Sequence, residues 1–156
     1  PGHTPGSVCF IVDERYMLAG DTVFVFSVGR PDLGNQVASW SKSLFETLQD
    51  RILPLDDDIS VLPGHFMSWK EADSQLRIMD SLHSIKERNS EIYGLSNVDQ
   101  FIRYIRHNLK EQPSIYEEIR KVNQGLMDVD QRELEIMDIG KNQCSASGVN
   151  SYPRMI

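Results

Sequence analysis

The stretch "PGHTPGS" (residues 1–7) decides how this chain is read. It sets a histidine, His3, inside a run of Pro and Gly, the residues that punctuate tight turns. The apolar, β-rich run "SVCFIV" (Ser7–Val12) comes at once after it, so the turn feeds a strand. A turn of this kind belongs between two strands rather than at the start of a chain. With no initiator Met ahead of it, Pro1 is expected to be an interior residue of a longer natural protein.

Working outward, "DER" turns the chain into a second strand, "YMLAGD" (Tyr16 to Asp21). The apolar "TVFVFSVGRPDLGN" then ends in a loop marked by Gly, Pro and Asn. "SWSKSLFETLQDRIL" reads as a helix, with Ser39 or Ser41 available to cap it and Leu44, Leu48 and Ile52 forming one buried stripe. "ISVLPGH" (Ile59 to His65) is a further strand running into a Pro-Gly turn, again with a histidine at its end. From there the pattern turns helical. Trp69, Ala72, Leu76, Met79, Leu82 and Ile85 predict one long amphipathic helix. Val98, Phe101, Ile102, Ile105 and Leu109 predict a second, and Ser114 to about Val122 a third behind Pro113. "RELEIMDIG" reads as a short helix and "KNQCSASGVNSYPRMI" as a loose tail. The expected organisation is a strand-and-loop domain over residues 1–90, a helical extension over 91–140 and a flexible tail over 141–156. No internal repeat or low-complexity tract occurs.

Composition narrows the class. The 156 residues suffice for a buried core, and 40% hydrophobic with 25% charged residues is ordinary for a globular chain. A net charge of −7 with interspersed signs argues against a nucleic-acid surface. No apolar run approaches the roughly 20 residues that span a bilayer. The two cysteines, Cys9 and Cys144, do not make a disulfide framework, so a reducing cytoplasm is expected. Cys9 reads as a buried strand residue.

Three polar residues fall at strand ends beside glycines: His3 in "GHTPGS", Asp21 in "AGDT" and His65 in "LPGH". Such positions let a scaffold hold side chains in a cleft while the backbone turns away. Two imidazoles and a carboxylate suit Zn2+ or non-haem Fe2+, and a carboxylate can bridge two metals. Taken singly, each has a structural reading too: the histidines as turn residues, Asp21 as the cap of the turn after its strand. His83 and His107 on amphipathic helices read as surface residues, and Arg103, Arg106 and Lys110 as a solvated face.

The ordered set "PGHTPGSVCFIVDERYMLAGDTVF…GRPDLG…VLPGH" resembles the second half of the metallo-β-lactamase fold, in its glyoxalase II and persulfide dioxygenase branch. The resemblance implies an α/β fold, half of an αββα sandwich with a C-terminal helical extension. It places a first metal on His3 and Asp21, and gives Asp21 a bridging role and His65 a second metal in dinuclear members. The family's leading HxHxDH motif occurs nowhere in these 156 residues. The resemblance therefore implies ligands upstream of Pro1, and a chain that by itself is inactive. Gly29-Arg30-Pro31-Asp32 resembles the Gly-Arg-x-Asp segment of persulfide dioxygenases, whose Arg serves the carboxylates of a thiol substrate; an ion pair of Arg30 with Asp32 is the structural alternative. That branch implies one Fe2+ and oxidation of a low-molecular-weight thiol persulfide to sulfite, with His65 beside the ligands rather than among them. The glyoxalase II branch implies two Zn2+ and hydrolysis of a thioester. A third reading is a non-catalytic module whose open strand edges are covered by a second copy in a homo-oligomer.

Overall fold

The computed structural model describes residues 1–112, 115–138 and 146. Two compact units emerge, one over residues 1–109 with Ala146, the other within residues 110–143.

The first unit is built on a four-stranded mixed sheet. Strands β1 (Phe10–Val12) and β2 (Tyr16–Gly20) form an antiparallel hairpin across the Asp13–Arg15 turn. Strand β3 (Ser60–Pro63) lies parallel to β2, with Met17 opposite Val61, and β4 (Asp80–Ser81) closes the order β1-β2-β3-β4. A parallel β2–β3 pair needs a crossover, and helix α1 (Val37–Thr47), prolonged by a wider π-type turn over Leu48–Ile52, supplies it. Alternation along β2 sends Met17 and Ala19 into the core with Val61, Leu44, Leu48 and Ile52. Helix α2 (Leu82–Arg88), the short α3 (Ser90–Tyr93) and α4 (Val98–Asn108) complete the unit. Phe101 of α4 meets Phe45 of α1 at a ring separation of 5.5 Å, so α4 packs within the first unit.

The strands, the crossover helix and the Val98 and Ser114 helices agree with the sequence pattern, the last as α5 (Ile115–Asn123). In the second unit α6 (Gln131–Asp138) starts on a reciprocal pair, Asp130 Oδ1 accepting from the Glu133 amide and Glu133 Oε2 from the Asp130 amide. Three expectations need correction. α1 starts after Gln36 without a side-chain cap; Ser39 donates back to the Gln36 carbonyl, and Ser41 is buried. "SVCFIV" is not a buried strand: Phe10 is 62% exposed, and Cys9 is half-buried just ahead of β1, its thiol donating to the Ala19 carbonyl. The long helix expected from Trp69 to Ile85 does not form. A 3₁₀ turn (Trp69–Glu71) is followed by a tight turn over Asp73–Arg77 and then β4, because Asp73 Oδ1 accepts the amides of Gln75 and Arg77 and so competes with helical bonding. Helix then starts at Leu82, where Ser81 accepts from the Ser84 amide.

The expected tail over 141–156 lies outside the described residues, Ala146 excepted; Cys144 does as well. Ala146 is buried and its amide donates to the Val28 carbonyl. No described helix is long and apolar enough to cross a membrane.

Candidate metal centre

The three strand-end residues come together. The turn around His3 is locked by Ser7, whose hydroxyl accepts from the Thr4 amide at 3.0 Å and whose amide donates to the Thr4 carbonyl. Gly20 ends β2 at φ +51°, a conformation open to glycine without steric cost, and turns Asp21 out of the sheet. The Gly64 amide donates to the Gly20 carbonyl at 2.8 Å, which sets His65 beside that turn.

Asp21 stands between the two histidines. Its Oδ2 is 3.3 Å from His3 Nε2, and its Oδ1 is 2.5 Å from His65 Nδ1. Burial acts to raise the Asp21 carboxyl, but the hydrogen bonds and charges of His3 and His65 outweigh it and hold the group well below the usual carboxylate range. Asp21 is thus an anion at neutral pH. Room for it depends on Gly29: a Cβ there would fall 1.8 Å from the Asp21 carbonyl oxygen and 3.0 Å from His3 Cβ.

His3 itself is oriented from the other side. Its Nδ1 lies 2.9 Å from the Arg30 carbonyl oxygen, which can only accept, so Nδ1 carries the hydrogen. In neutral His3 the Nε2 lone pair then faces an anionic oxygen at 3.3 Å. That contact is favourable only with a proton or a cation between the two atoms. A metal fits: two neighbouring donors, each about 2.1 Å from one ion, sit about 3.0–3.4 Å apart. A histidine whose far nitrogen is held by a carbonyl is also the usual arrangement of a metal-binding imidazole. The His65 contact is different, since 2.5 Å is hydrogen-bonding distance and leaves no room for an ion between the atoms. Among the described residues, no group of three or more His, Cys, Asp and Glu is arranged to hold a metal. His3 and Asp21 therefore fit as two ligands of a site, not as a complete one.

Arg30 is 1% exposed, and its guanidinium is engaged with Asp32 in a two-pronged pair, Nε to Oδ1 at 2.7 Å and Nη2 to Oδ2 at 2.8 Å. The expected Arg30 thus lies next to the centre through its backbone, while its side chain braces the loop. His83 is exposed beside Asp57 and Glu87, and Arg103, Arg106, His107 and Lys110 are exposed. The sequence pattern read the segment just beyond His65 only as the start of a long helix. Ser68 and Glu71 close a reciprocal capping box that seats the exposed Trp69, and the S-x-x-E spacing of "SWKE" was its legible signal.

No protein-family model matches the chain. Among solved structures, a metallo-β-lactamase from Staphylococcus aureus superposes with a TM-score of 0.69 at 28% identity, covering 84% of this chain and 40% of that one. The fold is that of the metallo-β-lactamases. An ETHE1 structure from Myxococcus xanthus agrees in fold, at TM-score 0.61 and 24% identity over 81% of this chain and 52% of that one. Among curated proteins, an uncharacterized protein of Mycobacterium leprae is 45% identical over 67 residues, 42% of this chain and 29% of that protein. Hydroxyacylglutathione hydrolase GloC of Haemophilus influenzae is 36% identical over 66 residues, 42% and 30% of the two chains. The mitochondrial persulfide dioxygenase of Homo sapiens is 33% identical over 66 residues, 42% and 25%. The chain spans less than a third of the length of these curated relatives.

Proposed function

We propose that this chain is the C-terminal part of a metal-dependent persulfide dioxygenase that oxidises a low-molecular-weight thiol persulfide in a reducing cytoplasm. The balanced reaction is RSSH + O2 + H2O → RSH + SO3(2−) + 2 H+. The observation that carries the reading is the contrast at Asp21: His3 Nε2 lies at the spacing of a fellow ligand, His65 Nδ1 at that of a hydrogen-bond partner. One metal, not two, suits that contrast. Bound Fe2+ supplies open positions for the substrate sulfur and O2, as in other sites of two histidines and one carboxylate. The chain's own part is to orient. The Arg30 carbonyl presents His3 Nε2, and His65 steadies the Asp21 carboxylate. In this reading a further histidine comes from a segment ahead of Pro1 that carries the HxHxDH motif. Arg30 serves the substrate carboxylate while sharing its guanidinium with Asp32.

Thioester hydrolysis is the second reading. Asp21 has a histidine at each carboxylate oxygen, so a second Zn2+ would be held by Asp21 and His65 once His65 draws back from its hydrogen bond, and the Haemophilus relative is named a hydroxyacylglutathione hydrolase. His65 is then a ligand.

Elemental analysis and a sulfite assay on the 156-residue chain, and on the chain extended upstream through the histidine motif, separate these readings. About one iron and persulfide-dependent sulfite in the extended chain, with little metal in the short one, supports the dioxygenase. Two zincs and thioester cleavage favour the hydrolase, and absence of metal from both chains refutes both.

A further inference from the structure

The stretch Thr22–Gly29 folds back on itself as a small hairpin. Val23 bridges Val28, the Gly29 amide donates to the Thr22 carbonyl at 3.3 Å, and the Phe24 amide donates to the Ser27 carbonyl at 3.0 Å. Val25 and Phe26 are left at its tip. The base of the hairpin is the candidate centre itself. Asp21 comes just before it, and Arg30, whose carbonyl lies 2.9 Å from His3 Nδ1, comes just after it.

The tip is gripped by the end of α2. Asn89 is 4% exposed, and its side-chain amide donates to two carbonyls, Ile85 in α2 at 2.8 Å and Val25 at 3.1 Å. A primary amide has the two hydrogens that such a bridge needs. Arg88 Nη1 donates to the same Val25 carbonyl at 3.4 Å, and its guanidinium stands 4.8 Å from the centre of the Phe26 ring. Its Nη2 is paired at 2.8 Å with Asp80 of β4. Between tip and base there is little slack. A Cβ at Gly29 would fall 1.8 Å from the Asp21 carbonyl oxygen and 3.0 Å from His3 Cβ, so the base lies backbone against backbone. Close-packed interiors transmit a displacement rather than absorb it.

We propose that Asn89 and Arg88 are positioning residues for the metal centre. By holding the Val25 carbonyl they fix the hairpin, and the fixed hairpin delivers the Arg30 carbonyl to His3 Nδ1. When that carbonyl withdraws, the hydrogen of neutral His3 is drawn to Nε2, where the Asp21 carboxylate lies 3.3 Å away. The nitrogen offered to a metal is then covered. The proposal rests on the metal reading above for its purpose, but its test needs no metal.

The test reads the imidazole nitrogens of the 15N-labelled, metal-free chain by long-range 1H–15N spectra, with His3→Gln identifying the His3 signals. In the wild type Nδ1 carries its hydrogen, and the form with a bare Nδ1 stays below about 10%. Asn89→Ala is expected to raise that form at least about three-fold. Arg88→Met, at a partly exposed side chain, moves it in the same direction and serves if Asn89→Ala does not fold. Phe101→Leu is the control: it thins the α1–α4 packing and lowers Tm without touching the hairpin, and is expected to leave His3 unchanged. A bare Nδ1 in the wild type overturns the proposal. So does a His3 signal that neither grip variant moves, or one that Phe101→Leu moves as far. The elemental analysis described above decides the metal reading separately.

Discussion

Asp32→Ala tests how the loop beside the centre is held. Arg30 is nearly sealed from solvent, and its planar guanidinium meets both Asp32 oxygens at 2.7 and 2.8 Å. Truncating one partner of a buried ion pair costs about 3–5 kcal/mol. With a urea dependence of about 2 kcal/mol per molar, the unfolding midpoint should fall by roughly 1.5–2.5 M. Asp32→Asn keeps one carbonyl acceptor and should lose about half as much. The double variant Arg30→Met/Asp32→Leu removes both charges and should recover most of the loss. Urea denaturation monitored by circular dichroism gives all three numbers. A fall below about 0.5 M for Asp32→Ala, or a double variant as unstable as the single, would refute the claim that desolvation governs this pair. The double variant also arbitrates the role of Arg30. If its guanidinium serves substrate, persulfide affinity in the extended chain drops while stability does not; if it only braces the loop, neither changes much.

Three single contacts carry further predictions. Tyr93 is buried, and its hydroxyl has no hydrogen-bond partner among the described residues; burial pushes its ionisation well above the ordinary value. Tyr93→Phe should therefore be neutral or stabilising by about 1 kcal/mol in urea denaturation, and a loss of that size would mean the hydroxyl is bonded. Burial raises the Glu71 carboxyl above the ordinary value, against two backbone amides that lower it. A raised folded value means that this group's stabilisation is complete below the unfolded pKa and is lost as pH rises through the folded one. Glu71→Gln keeps the acceptor without titrating, so its stability relative to the wild type should improve as pH rises past the ordinary carboxylate range; a flat difference refutes the shift. Gly29→Ala drives a methyl into the Asp21 carbonyl and should lower Tm by more than about 10 °C, with an unchanged Tm counting against the close approach.

The sequence was most legible where one physical signal acted alone. β2 alternates cleanly, and α4 carries its apolar stripe every three or four residues with Asn97 capping it through the amides of Asp99 and Gln100. Between Trp69 and Ile85 two signals conflicted. Apolar spacing spoke for a helix, while Ser68, Asp73 and Ser81 offered side-chain acceptors to the backbone, and those local bonds prevailed. The apolar spacing there was coincidental: Leu82 and Ile85 reach the core, whereas Trp69 and Leu76 face outward.

At the centre, sequence could name residues but not divide their roles. His3, Asp21 and His65 each stood at a strand end beside glycine, and nothing in their flanking residues distinguishes one histidine from the other. The distinction is carried by backbone. A carbonyl 27 residues away fixes the hydrogen of His3 on Nδ1 and leaves Nε2 to face Asp21, whereas His65 turns its own Nδ1 to the same carboxylate. Main-chain partners carry no side-chain signature, so the Arg30 carbonyl is invisible in sequence, although Arg30 itself drew notice. The glycine at position 29 is the one trace of it: only a residue without a side chain brings that backbone against Asp21. The two contacts meet in one residue: Asp32 holds the Arg30 side chain, and the Arg30 carbonyl accepts from His3 Nδ1.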